Sequence, residues 1–120
     1  MLKKVAFTMY PVIDIHRAQA FYREHFDLVP SKLSANGHWV EYDLPGGGCF
    51  AITTLAEGVK PCDHSGGLIA FEVDQLDRLM DKLKTNGVKI KLDIFSTPVC
   101  HMAVILDSEG NAITLHQLKA

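Results

Sequence analysis

Three ionisable residues in the C-terminal half are the first candidates for chemistry: Glu72, His101 and His116. Each lies in or at the end of a segment whose composition predicts a β-strand, and alternation along a strand puts His116 on the same side as Thr114. Two imidazoles and a carboxylate can hold a divalent metal or act as acid and base. No two of them share one element at a ligand-like spacing, so we favour their interpretation as polar residues of a sheet.

The three cysteines indicate neither a disulfide framework nor a zinc site nor a thiolate nucleophile. Cys49, Cys62 and Cys100 are odd in number and lack a Cys-x-x-Cys spacing. His101 directly follows Cys100, so on a strand the two side chains point to opposite faces and the imidazole does not activate the thiol. We therefore interpret Cys100 as a core residue and expect a reducing, cytoplasmic environment.

Composition excludes several classes of function. The chain has 120 residues, 48% of them hydrophobic, with 12 basic against 14 acidic side chains and no basic run longer than Lys3-Lys4. Nucleic acid is therefore not an expected partner. No apolar stretch reaches the roughly 18 residues of a membrane-spanning helix, and Asp14, His16 and Arg17 interrupt the segment most similar to a secretion signal. We expect a globular protein that neither spans a membrane nor begins with a signal peptide.

The elements that must position these residues follow one pattern in both halves of the chain. Each half contains one amphipathic helix, predicted over about 14–27 with Asp14 as its cap and over about 74–86 with Asp74 as its cap. Segments rich in apolar and β-branched residues predict strands around the helices. The predicted strands are 5–10, 38–44, 49–55, 68–73, 89–95, 99–106 and 112–117.

A sequence repeat relates the two halves. At a shift of 61 residues Phe7 falls on Leu68, and the tripeptide 51–53 falls on 112–114. We predict a single domain over 1–120 that consists of two modules joined by a linker. Because neither half can bury much surface alone, we expect the halves to pair with each other or with a second chain. The predicted divisions are a first module of about 1–56, a linker of about 57–66 and a second module of about 67–120.

Taken in order, four segments resemble the vicinal oxygen chelate superfamily, which includes glyoxalase I, extradiol dioxygenases and bleomycin-resistance binding proteins. The final segment is similar to the family's Asp-Pro-Asp-Gly-Asn turn, with Ser and Glu at two places. The resemblance implies an α+β fold of two βαβββ modules whose mixed sheets curve around a concave cavity. The four segments are the strand near 5–12 with Asp14 and 20–22 after it, 69–74, 86–88 and 107–111.

The resemblance also implies where a metal would be bound. The family's metalloenzymes carry ligands on the first and last strands of each module, positions that correspond here to Phe7, Thr53, Leu68 and Thr114. Two hydrocarbons and two neutral hydroxyls are not a ligand set for a divalent ion, and a shift of one residue on any strand supplies none. We therefore expect a member of the family with no metal site and no cofactor.

A mostly apolar cavity with a few polar groups is typical of a small-molecule site. The strand near 38–44 has two possible orientations: polar alternation favours Trp39 and Glu41 in the cavity, whereas the repeat favours Val40 and Tyr42. Either orientation supplies an aromatic ring for a planar ligand. The predicted ligand-binding residues are Phe7, Met9, Trp39, Glu41, Thr53, Leu68, Glu72, His101, Thr114 and His116.

The sequence thus predicts a cytoplasmic, metal-free protein that sequesters or senses a planar or amphipathic small molecule. The alternative is an enzyme of lyase, isomerase or dioxygenase type, either with relocated metal ligands or with metal-free acid/base catalysis by Glu72 and one of the two histidines. A purely structural interaction module is the third interpretation, if side chains fill the cavity. A homodimer is expected, because single-domain relatives commonly complete their cavities across a two-fold interface and the first strand leaves an open edge.

Overall fold

Two mixed sheets, each with one helix, make up the computed structural model, which describes residues 1–120. Contacts divide the chain into two units, Met1–Pro61 and Cys62–Ala120, and each unit contains one sheet and its helix. The predicted α+β fold of two βαβββ modules with curved sheets is confirmed. Neither helix has the length and apolar character needed to cross a membrane.

The first unit contains four strands in the order β1-β4-β3-β2, in which β1 and β4 are parallel and the other pairs antiparallel. A short 3-10 turn, Ala35–Gly37, connects the second and third strands. Its elements are β1 (Thr8–Pro11), α1 (Ile15–Phe26), β2 (Lys32–Ser34), β3 (Trp39–Asp43) and β4 (Cys49–Thr53).

The second unit repeats this topology with the strand order β5-β8-β7-β6, and its single parallel pair is β5 with β8. Register shifts interrupt the pairing of β6 with β7. Its elements are β5 (Ile69–Glu72), α2 (Leu76–Thr85), β6 (Ile90–Ser96), β7 (Cys100–Leu106) and β8 (Ala112–Leu118).

Aromatic packing holds α1 against one face of the first sheet. The Tyr22 ring lies 5.1 Å from that of Phe50 on β4 and 6.2 Å from that of Tyr42 on β3, and all three side chains are fully buried. Each large buried side chain contributes roughly 2–3 kcal/mol of hydrophobic stabilisation. Asp14 caps the helix as predicted, since its carboxylate accepts from the Arg17 amide at 3.0 Å. The side of the sheet turned away from α1 is thereby left to carry function.

Two local features differ from the sequence prediction. Asp74 does not cap α2: Gln75 is the N-cap residue, and the side-chain oxygen of Gln117 accepts from the Leu76 amide at 2.8 Å. A contact from β8 therefore does the work expected of a local cap. Strand β2 was not predicted, because three residues with only one apolar side chain give no readable alternation.

The internal repeat has different spacings on its first and last strands. The Val12 amide donates to the Thr53 carbonyl, and the Val73 amide donates to that of His116, each at 2.8 Å. Val12 and Val73 are 61 residues apart, whereas Thr53 and His116 are 63 apart. The structural equivalent of Thr53 is therefore His116, and the tripeptide match in the sequence is offset from the true equivalence by two residues.

A buried turn connects the β7–β8 hairpin to the segment that precedes β5. The Asp107 carboxylate accepts from the amides of Glu109 and Asn111 at 2.8 and 2.9 Å. Asn111 is fully buried, and its side-chain oxygen accepts from the Cys62 amide at 3.2 Å and the Ser65 hydroxyl at 2.7 Å. The segment that is similar to the family's turn therefore has a structural role here.

We predict that Asn111→Ala lowers the free energy of unfolding by about 2–4 kcal/mol, because it leaves two donors without their acceptor inside the protein. Asn86→Ala is the matched control, since Asn86 is exposed and its side chain makes one hydrogen bond, to the Lys82 carbonyl at 2.9 Å. We expect the control to lose about 1 kcal/mol or less. Urea unfolding followed by circular dichroism measures both, and equal losses contradict the structural role of the turn.

Candidate functional site

Cross-strand pairing fixes which side chains share a face of the first sheet. Trp39 pairs with Thr53 and Glu41 pairs with Ala51 across β3 and β4, and Met9 pairs with Ala51 across β1 and β4. Paired residues point to the same side, and these alternate with the residues beneath α1. They therefore lie on the side that α1 does not cover, which we call the open face of the first sheet.

The alternative orientation of β3 is excluded. Val40 and Tyr42 are fully buried, and Tyr42 packs against Tyr22 of α1. Burial raises the pKa of the Tyr42 phenol to about 12, so this hydroxyl stays protonated at neutral pH. Trp39 and Glu41 are consequently the residues of β3 that face outward.

Four residues of the open face form what we call the Trp39 cluster: Phe7, Trp39, Glu41 and Cys49. The Phe7 and Trp39 rings meet edge to face, with centroids 5.0 Å apart at 84°. The Trp39 Nε1–H donates to one oxygen of Glu41 at 2.7 Å, and the Cys49 thiol donates to the other at 3.6 Å. Ala51, which lies between Met9 and Glu41 in the register, is fully buried on this face.

Cys49 is a member of this cluster that the sequence analysis missed. Burial, and after it the hydrogen bond and charge of Glu41, raise the pKa of the Cys49 thiol, so it remains a neutral donor rather than a thiolate. Alternation on β4 is the signal that identifies it, because positions 49, 51 and 53 point to the same side.

The hydroxyl of Thr53 is engaged in local structure. Thr53 is only 1% exposed, and its Oγ1 donates to the His38 carbonyl at 2.8 Å and accepts from the Leu55 amide at 2.9 Å. This hydroxyl fixes the end of β4 and offers little to a bound molecule. Its side chain therefore contributes to the floor of the open face rather than to polar recognition.

A paired histidine and glutamate lie on the second sheet. Glu72 and His116 are register partners across β5 and β8, and their Oε1 and Nδ1 atoms are 2.5 Å apart. The other oxygen of Glu72 accepts from the Leu118 amide at 2.9 Å. The Leu118 amide first, and the His116 hydrogen bond second, hold the pKa of Glu72 below its ordinary value. The contact through Nδ1 leaves Nε2 as the ring nitrogen not bound to Glu72.

His101 does not join this pair, which corrects the expectation that both histidines face the same cavity. Met102 is the partner of His116 in the β7–β8 register, so His101, one residue earlier, points to the opposite side with its own partner Gln117. Gln117 reaches the start of α2, so this is the helix-covered side of the sheet. There His101 contacts the Ser96 hydroxyl at 2.6 Å. The proposed set of two histidines and a carboxylate is therefore not brought together.

The remaining predicted residues of the second unit lie on the face that carries Glu72 and His116. Thr114 pairs with Ala70 across β8 and β5, and alternation places both on that side. Leu68 immediately precedes β5 and is 75% exposed. We call this surface the open face of the second sheet.

A separate cleft of about 350 Å³ lies at the ends of β1 and β4. Among the predicted ligand-binding residues, only Thr53 touches it. The cleft therefore differs in position from the Trp39 cluster. Its lining residues are Pro11, Val12, Ile13, Thr53, Thr54, Ala56, Val59, Lys60 and Pro61.

Comparison with known proteins identifies the family. The family model described as the glyoxalase/bleomycin resistance protein/dioxygenase superfamily matches residues 4–115. The chain belongs to this superfamily. No curated protein matches the sequence.

Solved structures of superfamily proteins share the fold over nearly the whole chain. TnmS3, an antibiotic binding protein from Streptomyces sp. CB03234, is 25% identical with a TM-score of 0.79, and the match covers 98% of each chain. A glyoxalase/dioxygenase from Nostoc punctiforme is 19% identical with a TM-score of 0.78, covering 98% of this chain and 92% of that one. The fosfomycin resistance protein FosX from Listeria monocytogenes is 17% identical with a TM-score of 0.76, covering 98% and 94%.

The positions implied for the superfamily's metal ligands do not fit a divalent ion in this member. Phe7 and Leu68 have hydrocarbon side chains, and the Thr53 hydroxyl is already bonded on both sides. Ala51, rather than Thr53, is the structural equivalent of Thr114, and it offers no ligand either. No group of three or more His, Cys, Asp or Glu side chains in the structure is arranged to hold a metal.

We predict that Glu72→Gln destabilises the protein above pH 5 and that its difference from the natural chain shrinks on acidification. A carboxyl whose pKa is lowered by folding contributes stability above its unfolded value, near 4.5, and loses it as the pH falls through the folded value. The control is Glu57→Gln, which changes an exposed glutamate outside the helices and strands. Thermal unfolding across a pH series measures both variants, and a pH-independent difference for Glu72→Gln contradicts the pairing.

Proposed function

We propose that this chain is a small-molecule binding protein that holds a planar or amphipathic compound on the open face of the first sheet, and so sequesters or senses it. The observation that carries the proposal is the Trp39 cluster. Phe7 is 43% exposed although it is aromatic, and the Trp39 ring beside it is half-buried and fixed by its hydrogen bond to Glu41. A rigid aromatic surface with one polar anchor is typical of ligand sites.

The orientation of Trp39 supports binding more than it supports stability. Burying an indole under a helix gives the largest hydrophobic gain, yet α1 covers Tyr42 and Phe50 instead. Met9 and Ala51 extend the same apolar surface across the sheet. We therefore assign ligand binding here to Phe7, Met9, Trp39 and Glu41, with Thr53 in the floor.

The similarity to TnmS3 supports the same proposal. That protein is an antibiotic binding protein, and its 25% identity extends over almost all of both chains. FosX, a fosfomycin resistance protein, shares the fold at lower identity and adds only a second member associated with an antibiotic. A natural product or drug-like molecule is therefore the proposed class of ligand.

The proposed binding needs neither a metal nor another cofactor. The donor set at the superfamily's metal positions supports this, as argued above. The three cysteines are free, which agrees with a reducing cytoplasm as the proposed location. We also propose that both modules, over residues 1–120, act as a single glyoxalase-like domain, because the family model extends across both.

An acid/base enzyme is the second candidate, and the Glu72–His116 pair favours it. Glu72 is held by the Leu118 amide and orients the imidazole through Nδ1, an arrangement in which Nε2 can take a proton from a substrate. The pair lies on the open face of the second sheet together with Leu68 and Thr114, which we retain as proposed ligand-binding residues. His101 is left out of the set, because it lies on the helix-covered side.

We propose a homodimer, because β1 and β5 each form an edge of their sheet and single-domain relatives commonly complete their cavities across a two-fold interface. We expect sedimentation at micromolar concentration to give about twice the 13.3 kDa mass of the chain. A species of 13.3 kDa under those conditions contradicts the dimer.

The proposed function predicts the result of native mass spectrometry on freshly purified protein, combined with elemental analysis. We expect a non-covalent small molecule that is released on denaturation, and no stoichiometric divalent ion. Trp39→Leu should lose the molecule, whereas His116→Gln should keep it, because the two residues lie on different sheets. About one metal per chain that is lost in His116→Gln contradicts the proposal and favours the enzyme.

A further inference from the structure

The Glu41 carboxylate carries a negative charge that the protein does not neutralise. Its two hydrogen-bond donors are the Trp39 indole and the Cys49 thiol, and both are uncharged. Lys32 lies directly opposite Glu41 in the β2–β3 register, yet it forms no ion pair with it. Asp43, two residues further along β3 and on the same side, has no ion pair either. The open face therefore has an excess of negative charge around Glu41.

Glu41 is half-buried, so its unbalanced charge is partly withdrawn from solvent. A carboxylate has about four acceptor positions, and only two are used by the donors described above. The negative charge also acts on Cys49, whose pKa is raised by burial first and then by Glu41 and Asp43. A half-buried carboxylate with unfilled acceptor positions attracts a positively charged group and repels an anion.

The aromatic members of the cluster favour the same charge. The face of an indole or phenyl ring is the negative end of its quadrupole, and tryptophan is the strongest of the aromatic side chains in attracting cations. Trp39 and Phe7 lie edge to face at 5.0 Å, and the indole is tied to the Glu41 carboxylate at 2.7 Å. The rings and the carboxylate are thus held together as one site whose electrostatic preferences agree.

We propose that the Trp39 cluster selects flat aromatic molecules that carry a permanent positive charge, which rest on the indole while their charge lies beside Glu41. This inference rests on the proposed function, because it names the class of ligand bound at the same site. It excludes aromatic carboxylates and phosphates as ligands of this face. It also assigns Glu41 the role of a specificity-determining residue.

The test compares two probes that differ mainly in charge: N-methylacridinium, which is always cationic, and acridine, which is neutral in a mildly alkaline buffer. Trp39 is the single tryptophan of the chain, so quenching of intrinsic fluorescence reports binding at the cluster itself. Isothermal titration calorimetry gives the affinities independently of fluorescence. We expect N-methylacridinium to bind about tenfold tighter than acridine at low salt, with the preference reduced by added salt.

Glu41→Gln tests the charge while keeping an oxygen that accepts from Trp39 and Cys49. We expect this variant to bind both probes with similar affinity, whereas Glu57→Gln, the matched control in an exposed loop, keeps the preference for the cation. Asp43→Asn provides a second variant, expected to reduce the preference partly. Circular dichroism and thermal unfolding establish that each variant is folded.

The outcomes separate this inference from the proposed function. Equal binding of both probes, with Trp39 quenched in each case, overturns cation selection and leaves ligand binding on the open face standing. Tighter binding of acridine, or a cation preference that survives Glu41→Gln, also overturns it. If neither probe binds, the inference fails, and native mass spectrometry decides separately whether the open face binds another molecule.

Discussion

Burial of one face of each sheet beneath a helix is the constraint on which the rest of the structure depends. Along a strand, every residue committed to the helix commits its neighbours to the other side. Packing of Tyr42 and Phe50 against Tyr22 therefore fixes Trp39 and Glu41 as outward residues of β3. The open face is the necessary counterpart of the core, and its chemistry is decided by which residues the core does not take.

The two open faces carry different chemistry on the same βαβββ topology. On the first sheet an aromatic pair and a carboxylate with uncharged donors form a surface suited to holding a ligand, whereas on the second sheet Glu72 is bound to His116. The structural equivalent of His116 is Thr53, whose hydroxyl closes local hydrogen bonds instead. One repeat has thus diverged toward apolar contact and the other toward an ionisable pair.

Alternation and helical periodicity were sufficient to predict the fold and the composition of most of the open faces, because both depend on local spacing. They did not decide between Trp39 and Tyr42, since both are aromatic and only the contact with α1 separates them. The prediction for His101 was wrong, because its side depends on the pairing register of β7 with β8, and a shift of one residue reverses every side chain. Cys49 was missed because a neutral thiol acquires its role only from the Glu41 beside it.

The central claim is that the Trp39 cluster is the binding surface, and the indole N–H signal of the single tryptophan tests it most directly. In a two-dimensional proton–nitrogen NMR titration with N-methylacridinium, this signal and the backbone amide of Glu41 should shift together and saturate at one ligand per chain. The amides of Glu72 and His116 should shift less. Saturable shifts confined to β5 and β8, with the indole signal unmoved, would contradict the account.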